Sequence, residues 1–170
     1  MSETMNASEA RKKFYQIMDE VNFGFGTVRI AKANGNNAVI LSEKSWQEIM
    51  ETLNIMDSPA LTRDIIKGAE EDFEDMKKYD PASGSDYEVY FSKSSLEDLE
   101  YLKQKDLIDQ AEKLLNLICK DPFSEHQQYE KLTGTLEGFY SRKINIHHRL
   151  IYKVYEDEKK IKVVKLCAYY

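Results

Sequence analysis

The run Glu130–Arg149, EKLTGTLEGFYSRKINIHHR, decides how the rest of this 170-residue chain is read. One carboxylate, Glu130, stands just before a Gly-rich turn, and a basic, aromatic run follows: Phe139, Tyr140, Arg142, Lys143, His147, His148 and Arg149. The pattern predicts a strand–turn–strand unit. Cleaving RNA at its own 2′-OH needs a group to take that proton, cations to hold the phosphorane charge, and an acid to protonate the departing 5′-oxygen. A carboxylate and several cations within one hairpin supply the first two. On spacing alone the basic edge of a small sheet accounts for the same residues, and spacing favours that plainer reading.

Outward from this run, Tyr140–Ile144, Arg149–Tyr155 and Lys160–Tyr170 read as three antiparallel strands, with a turn at Glu156–Lys159. Upstream, Asp121-Pro122-Phe123 ends a helix over Leu107–Lys120, because proline disfavours helical geometry at the residue before it. Asp106 is its candidate cap, and Leu107, Ile108, Ala111, Leu114, Leu115 and Ile118 are its apolar face. Ser94 and Ser95 cap a shorter helix running to about Lys103, and Tyr87–Phe91 alternates as a strand. The stretch DPASGSD at 80–86 is linker-like, which places a domain boundary there.

Before the linker, Ser8 is a candidate N-cap for a helix carrying Phe14, Ile17, Met18 and Val21. Thr27–Ala31 and Asn37–Ser42 read as strands around an Asn34-Gly35 turn. A helix then starts at Ser42, with Trp46, Ile49, Met50 and Leu53 on one face. After Ser58-Pro59 the pattern predicts a further helix from Ala60 to about Lys78. Its second half is nearly all acid, with Phe73 and Met76 as apolar anchors.

The net charge of −6 hides an asymmetry. Residues 1–80 hold ten Lys/Arg against fifteen Asp/Glu, whereas residues 131–170 hold nine against four. The acidic segment Glu70–Asp75 and the basic carboxy-terminal third are therefore expected to attract each other. Cys119 and Cys167 lack metal-ligand or disulfide-framework spacing, so neither a metal nor another cofactor is implied. No apolar run approaches the length of a membrane span, and the expected compartment is a reducing cytoplasm.

Two resemblances carry the reading further. SEAR at 8–11, the Asn34-Gly35 hairpin, AVIL at 38–41 followed by a Ser, and DSPA at 57–60 follow one another as in the YefM/Phd family of antitoxins. In the second half, DPF at 121–123, E-x-L at 130–132, L-x-G-x-x-SRKI at 136–144, HRLIY at 148–152 and the aromatic Tyr170 resemble the YoeB toxins, ribosome-dependent mRNA endonucleases of the RelE-like family. The second match reverses the plainer reading of the opening run. Together the resemblances imply an α+β fold of two small domains. One is a Phd-like antitoxin domain with an extended acidic helix, the other a RelE-like toxin with helices packed on an antiparallel sheet. The implied parts are a dimerisation and DNA-binding domain at 1–56, a toxin-neutralising helix at 57–79, a linker at 80–86 and a toxin domain at 87–170. An alternative keeps the toxin half only as docking partner or corepressor in a regulatory protein.

Carried over residue by residue, the resemblance makes Glu130 the general base and Arg149 the clamp on the phosphorane, with Tyr169 and Tyr170 ending the site. Lys131, Arg142, Lys143 and His148 would grip RNA, Lys131 covering for a family lysine replaced here by Thr133. Arg11 and Lys32 would meet operator DNA. Phe73 and Met76 would anchor the neutralising segment. The implied partners are the two halves for each other, operator DNA, the ribosome and mRNA, and a second copy of the chain. Tyr169 departs from the family, which has His there. A phenol with a pKa near 10 lies further from the optimum for acid catalysis than an imidazole, so the site is read as weakened.

Overall fold

A computed structural model describes residues 3–23, 26–81 and 84–166. The chain divides into two compact units, Met1–Gln47 and Glu48–Tyr170. That division falls inside a helix, well before the linker-like stretch at 80–86, so the residues that follow it fold with the second unit.

In the first unit, β1 (Glu3–Asn6) lies parallel to β2 (Val28–Ala31), which pairs antiparallel with β3 (Ala38–Ile40). Helices α1 (Ala7–Lys12) and α2 (Phe14–Phe23) connect the first two strands. Asn6, rather than Ser8, caps α1 by accepting a 2.9 Å hydrogen bond from the Glu9 amide, and the single helix expected here is broken at Lys13. The Asn34-Gly35 turn forms as read, with Gly35 at φ +79, a conformation that needs no Cβ. Met5, Ala10, Ile17, Val21 and Val28 make a small core, while Phe14, Tyr15, Met18 and Val39 are exposed.

In the second unit, the six-stranded sheet runs β4 (Lys77–Lys78), β5 (Glu88–Phe91), β9 (Lys160–Lys165), β8 (Arg149–Tyr155), β7 (Phe139–Lys143) and β6 (Tyr129–Lys131). Neighbours are antiparallel except β5 and β9, which are parallel. The strand–turn–strand unit β6–β7, the hairpin β7–β8 and its pairing with β9 match the sequence reading, and β4 is an additional strand. Helices α5 (Lys93–Gln104) and α6 (Ile108–Lys120) cover one face, where Leu114, Leu115 and Ile118 of α6 cluster with Val89, Phe91 and Tyr152 of the sheet. Ser92 caps α5 in place of Ser94 or Ser95, and its Oγ accepts from the Ser95 amide at 3.2 Å. Asp106 does not cap α6 but turns the chain at φ +55.

The opposite face is covered from outside the toxin-like segment. The second half of α3 (Glu43–Met56) and all of α4 (Pro59–Glu70) place Ile55, Leu61 and Ile65 against Leu132, Leu136, Phe139, Ile151 and Val164. The expected inner face of α3 is corrected: Trp46, Ile49 and Leu53 are exposed, and Glu51, Thr52 and Ile55 are buried. The acidic helix is corrected too. It stops at Glu70: wound further, the helix would set Glu70 beside Glu74 and Glu71 beside Asp75 as like-charge pairs, and Glu71 and Asp72 instead go extended. Phe73–Asp75 form one tight 3-10 turn, and Lys77–Lys78 then join the sheet edge beside β5.

Candidate active site

Strand periodicity sorts the site residues. The register pairs Glu130 with Ser141, Ser141 with Ile151, and Lys143 with Arg149. Since alternate residues of a strand point to opposite faces, these five share the face covered by α3 and α4. Lys131, Arg142 and His148 have the other parity. The resemblance grouped all of these as one basic site, and the sheet divides them between two faces.

On the covered face, Arg149 is 8% exposed and Glu130 7%. Arg149 Nε donates to Glu51 Oε1 at 3.0 Å, and Ser141 Oγ donates to the same oxygen at 2.6 Å. Arg149 Nη1 also donates to the carbonyls of Asn145 (2.9 Å) and His148 (3.3 Å), which fixes the guanidinium at the mouth of the β7–β8 turn. Glu51, itself 6% exposed, thus presents a carboxylate to the cation assigned to the phosphorane. At the next residue of the same helix, Thr52 Oγ1 accepts from the Thr133 amide at 3.0 Å. Lys143 lies exposed at the end of β7.

Arg142, expected at a phosphate, is 1% exposed and bonded throughout to the protein. Its Nε donates to the Tyr152 hydroxyl, its Nη2 to the carbonyls of Pro122 and Ser124, and its Nη1 to that of Gln127. Tyr152 in turn donates to the Pro122 carbonyl at 2.6 Å, and burial pushes its phenol up to about 12. This latch holds the loop after α6, the one started by Asp121-Pro122-Phe123. His148 is buried near the Tyr101 ring, its Nδ1 is 3.0 Å from Asn145 Oδ1, and burial lowers its pKa. Lys131 lines a cleft of about 480 Å³ with Glu48, Thr133, Glu137, Phe139 and Tyr140.

Further along the covered face, Lys162 is 6% exposed and donates to the carbonyls of Ala69 (2.9 Å) and Glu71, which takes up the free carbonyls at the end of α4. Burial lowers its pKa. Of the two expected anchors, Met76 is buried, and Phe73 sits edge-on between Tyr90 and Tyr155. Arg11 and Lys32 are exposed in the first unit. Tyr169 and Tyr170 lie outside the described residues. Glu51, Ser141 and Lys162 were missed from sequence. Only the alternation of lysine with apolar residues in KIKVVK hints at the last of them.

Among the described residues, no helix is long and apolar enough to cross a membrane. The model of the Phd/YefM antitoxins of type II toxin-antitoxin systems matches residues 2–75, and that of the YoeB-like toxins matches residues 91–170. A toxin YoeB of Synechocystis is 34% identical over 68 residues, 39% of this chain and 79% of that protein. A toxin YoeB of Streptomyces coelicolor is 32% identical over 72 residues, 41% of this chain and 86% of that protein. A structure of a YoeB–YefM complex from Staphylococcus aureus is similar at 32% identity and a TM-score of 0.44, over 49% of this chain and 98% of that one.

Proposed function

Since the chain belongs to the YoeB-like toxin family through residues 91–170 and to the Phd/YefM antitoxins through residues 2–75, a type II toxin-antitoxin pair in one chain, we propose that it is a self-silenced mRNA endoribonuclease. The observation that carries this reading is the Glu51 carboxylate on Arg149 and Ser141. A carboxylate is a fair stand-in for a phosphate oxygen pair, and a guanidinium accepts either. With residues 48–78 in place, no phosphodiester reaches the cation.

Once that segment leaves, Glu130 takes the proton from a ribose 2′-OH and the 2′-oxygen attacks the adjacent phosphorus. Arg149 holds the charge of the phosphorane. The bond from phosphorus to the 5′-oxygen breaks, a proton reaches that oxygen from the terminal Tyr169–Tyr170 pair, and a cyclic phosphate and a 5′-hydroxyl result. Lys143 and Lys131 meet neighbouring phosphates, and the ribosome presents the message. The first unit, with Arg11 and Lys32 exposed, binds operator DNA as an autorepressor, and its exposed Phe14, Tyr15 and Met18 bury against a second copy of the chain. A regulatory protein with a silent toxin half is the second reading, favoured by Tyr169 in place of the family's His.

The test is ribosome-programmed mRNA cleavage by residues 87–170 produced as a separate chain. Cleavage is expected, suppressed by adding residues 1–80 and abolished by Glu130→Gln or Arg149→Ala. Cleavage indifferent to both substitutions refutes the site. No cleavage at all favours the regulatory reading.

A further inference from the structure

We propose a second RNA subsite on the toxin-half sheet, a slot between Tyr90 and Tyr155 rimmed by Lys153, Lys160 and Lys162. It takes one unpaired base and its phosphate, and Phe73 fills it as a surrogate base while the chain is closed. The inference rests on the ribonuclease reading and names a place where the substrate is held away from the chemistry.

The Phe73 ring meets Tyr90 edge-to-face at 5.0 Å between centroids and Tyr155 at 5.3 Å. Lys162 Nζ stands 4.5 Å and Lys160 Nζ 4.7 Å from the same ring centroid. Lys162 and Lys153 also stand over the Tyr155 ring, at 5.4 and 5.6 Å. The register pairs Tyr90 with Lys162, Lys162 with Lys153, and Lys160 with Tyr155, so all five residues face the same way as Arg149. Tyr155 is six residues beyond Arg149 on β8, which at about 3.3 Å per residue is roughly 20 Å along the same face. RNA bound at Arg149 therefore has a direct path to the slot.

Aromatic rings set among cations are the chemistry by which proteins hold single-stranded nucleic acid: rings take the base and ammonium groups take the phosphates. A slot shaped only for a phenyl ring has no need of three lysines. The way those lysines are used in the closed chain makes the same point. Lys162 is spent on the carbonyl oxygens of Ala69 and Glu71, which lie beside Phe73 as phosphate oxygens lie beside a base. Glu71 and Asp72, whose charges act on Lys162, belong to the covering segment and leave with it. Two carboxylates remain, Glu88 held by the Tyr90 hydroxyl at 2.8 Å and Glu158 by Lys160 at 2.8 Å. The cationic excess is thus small, which suits a slot for one nucleotide rather than a long electrostatic groove.

The experiment uses the full chain with Glu51→Ala and Phe73→Ala, titrated with a short fluorescein-labelled oligouridylate and read by anisotropy at several salt concentrations. The double variant is expected to bind at least about tenfold tighter than the parent. Adding Tyr155→Leu is expected to weaken binding about tenfold, the scale of one lost base–aromatic contact, and Tyr155→Phe to preserve it. Lys160→Ala should lower the salt slope by about 0.7, the share of one phosphate on a single strand and a readout a purely structural lysine would not move. Binding that ignores Tyr155→Leu and Lys160→Ala overturns the inference, and if Arg149→Ala still weakens it the ribonuclease reading stands. A double variant that binds no tighter than the parent also overturns the slot. Cleavage by the separate 87–170 half then decides the ribonuclease reading by itself.

Discussion

Replacing Glu51 by Ala removes the carboxylate that closes the site while leaving the apolar packing of α3 and α4 in place. The side chains of Arg149 and Glu51 are 9% and 7% exposed, so the substitution leaves a buried guanidinium without the carboxylate that Nε donates to. Breaking a buried pair by removing one partner costs about 3–5 kcal/mol. That cost falls on the closed state, because in the open state Arg149 is hydrated. At about 1.4 kcal/mol per decade the closed-to-open ratio should drop roughly 10²–10⁴-fold. Ile55, Leu61 and Ile65 still contribute about 1.5–3 kcal/mol each by burial, so the segment stays mostly closed and opens more often. Amide hydrogen exchange reads this directly: protection of Leu61–Glu70 should fall by a similar factor, while protection in α6 should not. Glu51→Gln, which keeps an acceptor oxygen without the charge, should fall between. If Leu61–Glu70 exchange as slowly in the Ala variant as in the parent, apolar packing alone holds the segment and the latch argument is wrong.

Three further outcomes follow from particular contacts. A Cβ at Gly68 would stand 3.0 Å from Ser92 Oγ and 3.2 Å from Val164 Cβ, so Gly68→Val should cost about 1–3 kcal/mol by overpacking, lower Tm by several degrees and speed exchange along α4. Gly68→Ala should do the same more weakly. Tyr152 has a folded pKa of about 12 against about 10 unfolded; its contribution to stability is complete below pH 10 and lost as pH rises from 10 through 12, so the alkaline unfolding midpoint should fall in Arg142→Met, in which the latch is already broken. In the separate 87–170 half, Tyr169→His should raise mRNA cleavage at least about tenfold by supplying an acid of better-matched pKa, and an unchanged rate would show that an acid other than residue 169 serves.

What the sequence disclosed and what it withheld have separate physical causes. Hairpins and helix stops depend on residues near in sequence, and Asn34-Gly35, Asp121-Pro122-Phe123 and the β7–β8 hairpin were legible for that reason. The end of α4 was not, because it depends on Lys162, more than ninety residues away, and on an edge strand that competes for Lys77 and Lys78. The composition of the site was half legible. Glu130 and Arg149 share a face, but Arg142 has the opposite parity within the same hairpin, and the alternation that moves it to the Tyr152 latch was visible in FYSRK. Glu51 was not legible at all: it sits among other acids on a helix whose apolar stripe, Trp46, Ile49 and Leu53, pointed to the wrong inner face. That stripe stays exposed, so hydrophobic periodicity alone located a surface and not a core.

The covering segment meets the toxin half in three chemically different ways. Ile55, Leu61 and Ile65 supply burial, Lys77 and Lys78 add a strand to the sheet edge, and Glu51 and Phe73 enter the proposed active site and the proposed slot. These do not serve the same end. Burial and strand addition hold the segment but would hold it in several registers, since apolar packing and main-chain pairing are tolerant of a slip. A buried carboxylate–guanidinium pair adds little net stability after desolvation, yet a shifted register would leave both charges unpaired at a cost of several kcal/mol. A tether also raises the local concentration of the segment to about millimolar, so the contacts need not be strong. In a tethered inhibitor the difficult requirement is the correct register rather than affinity. The placement of the Glu51–Arg149 pair, on the residue assigned to the phosphorane, meets that requirement with the same two atoms that would close the proposed site.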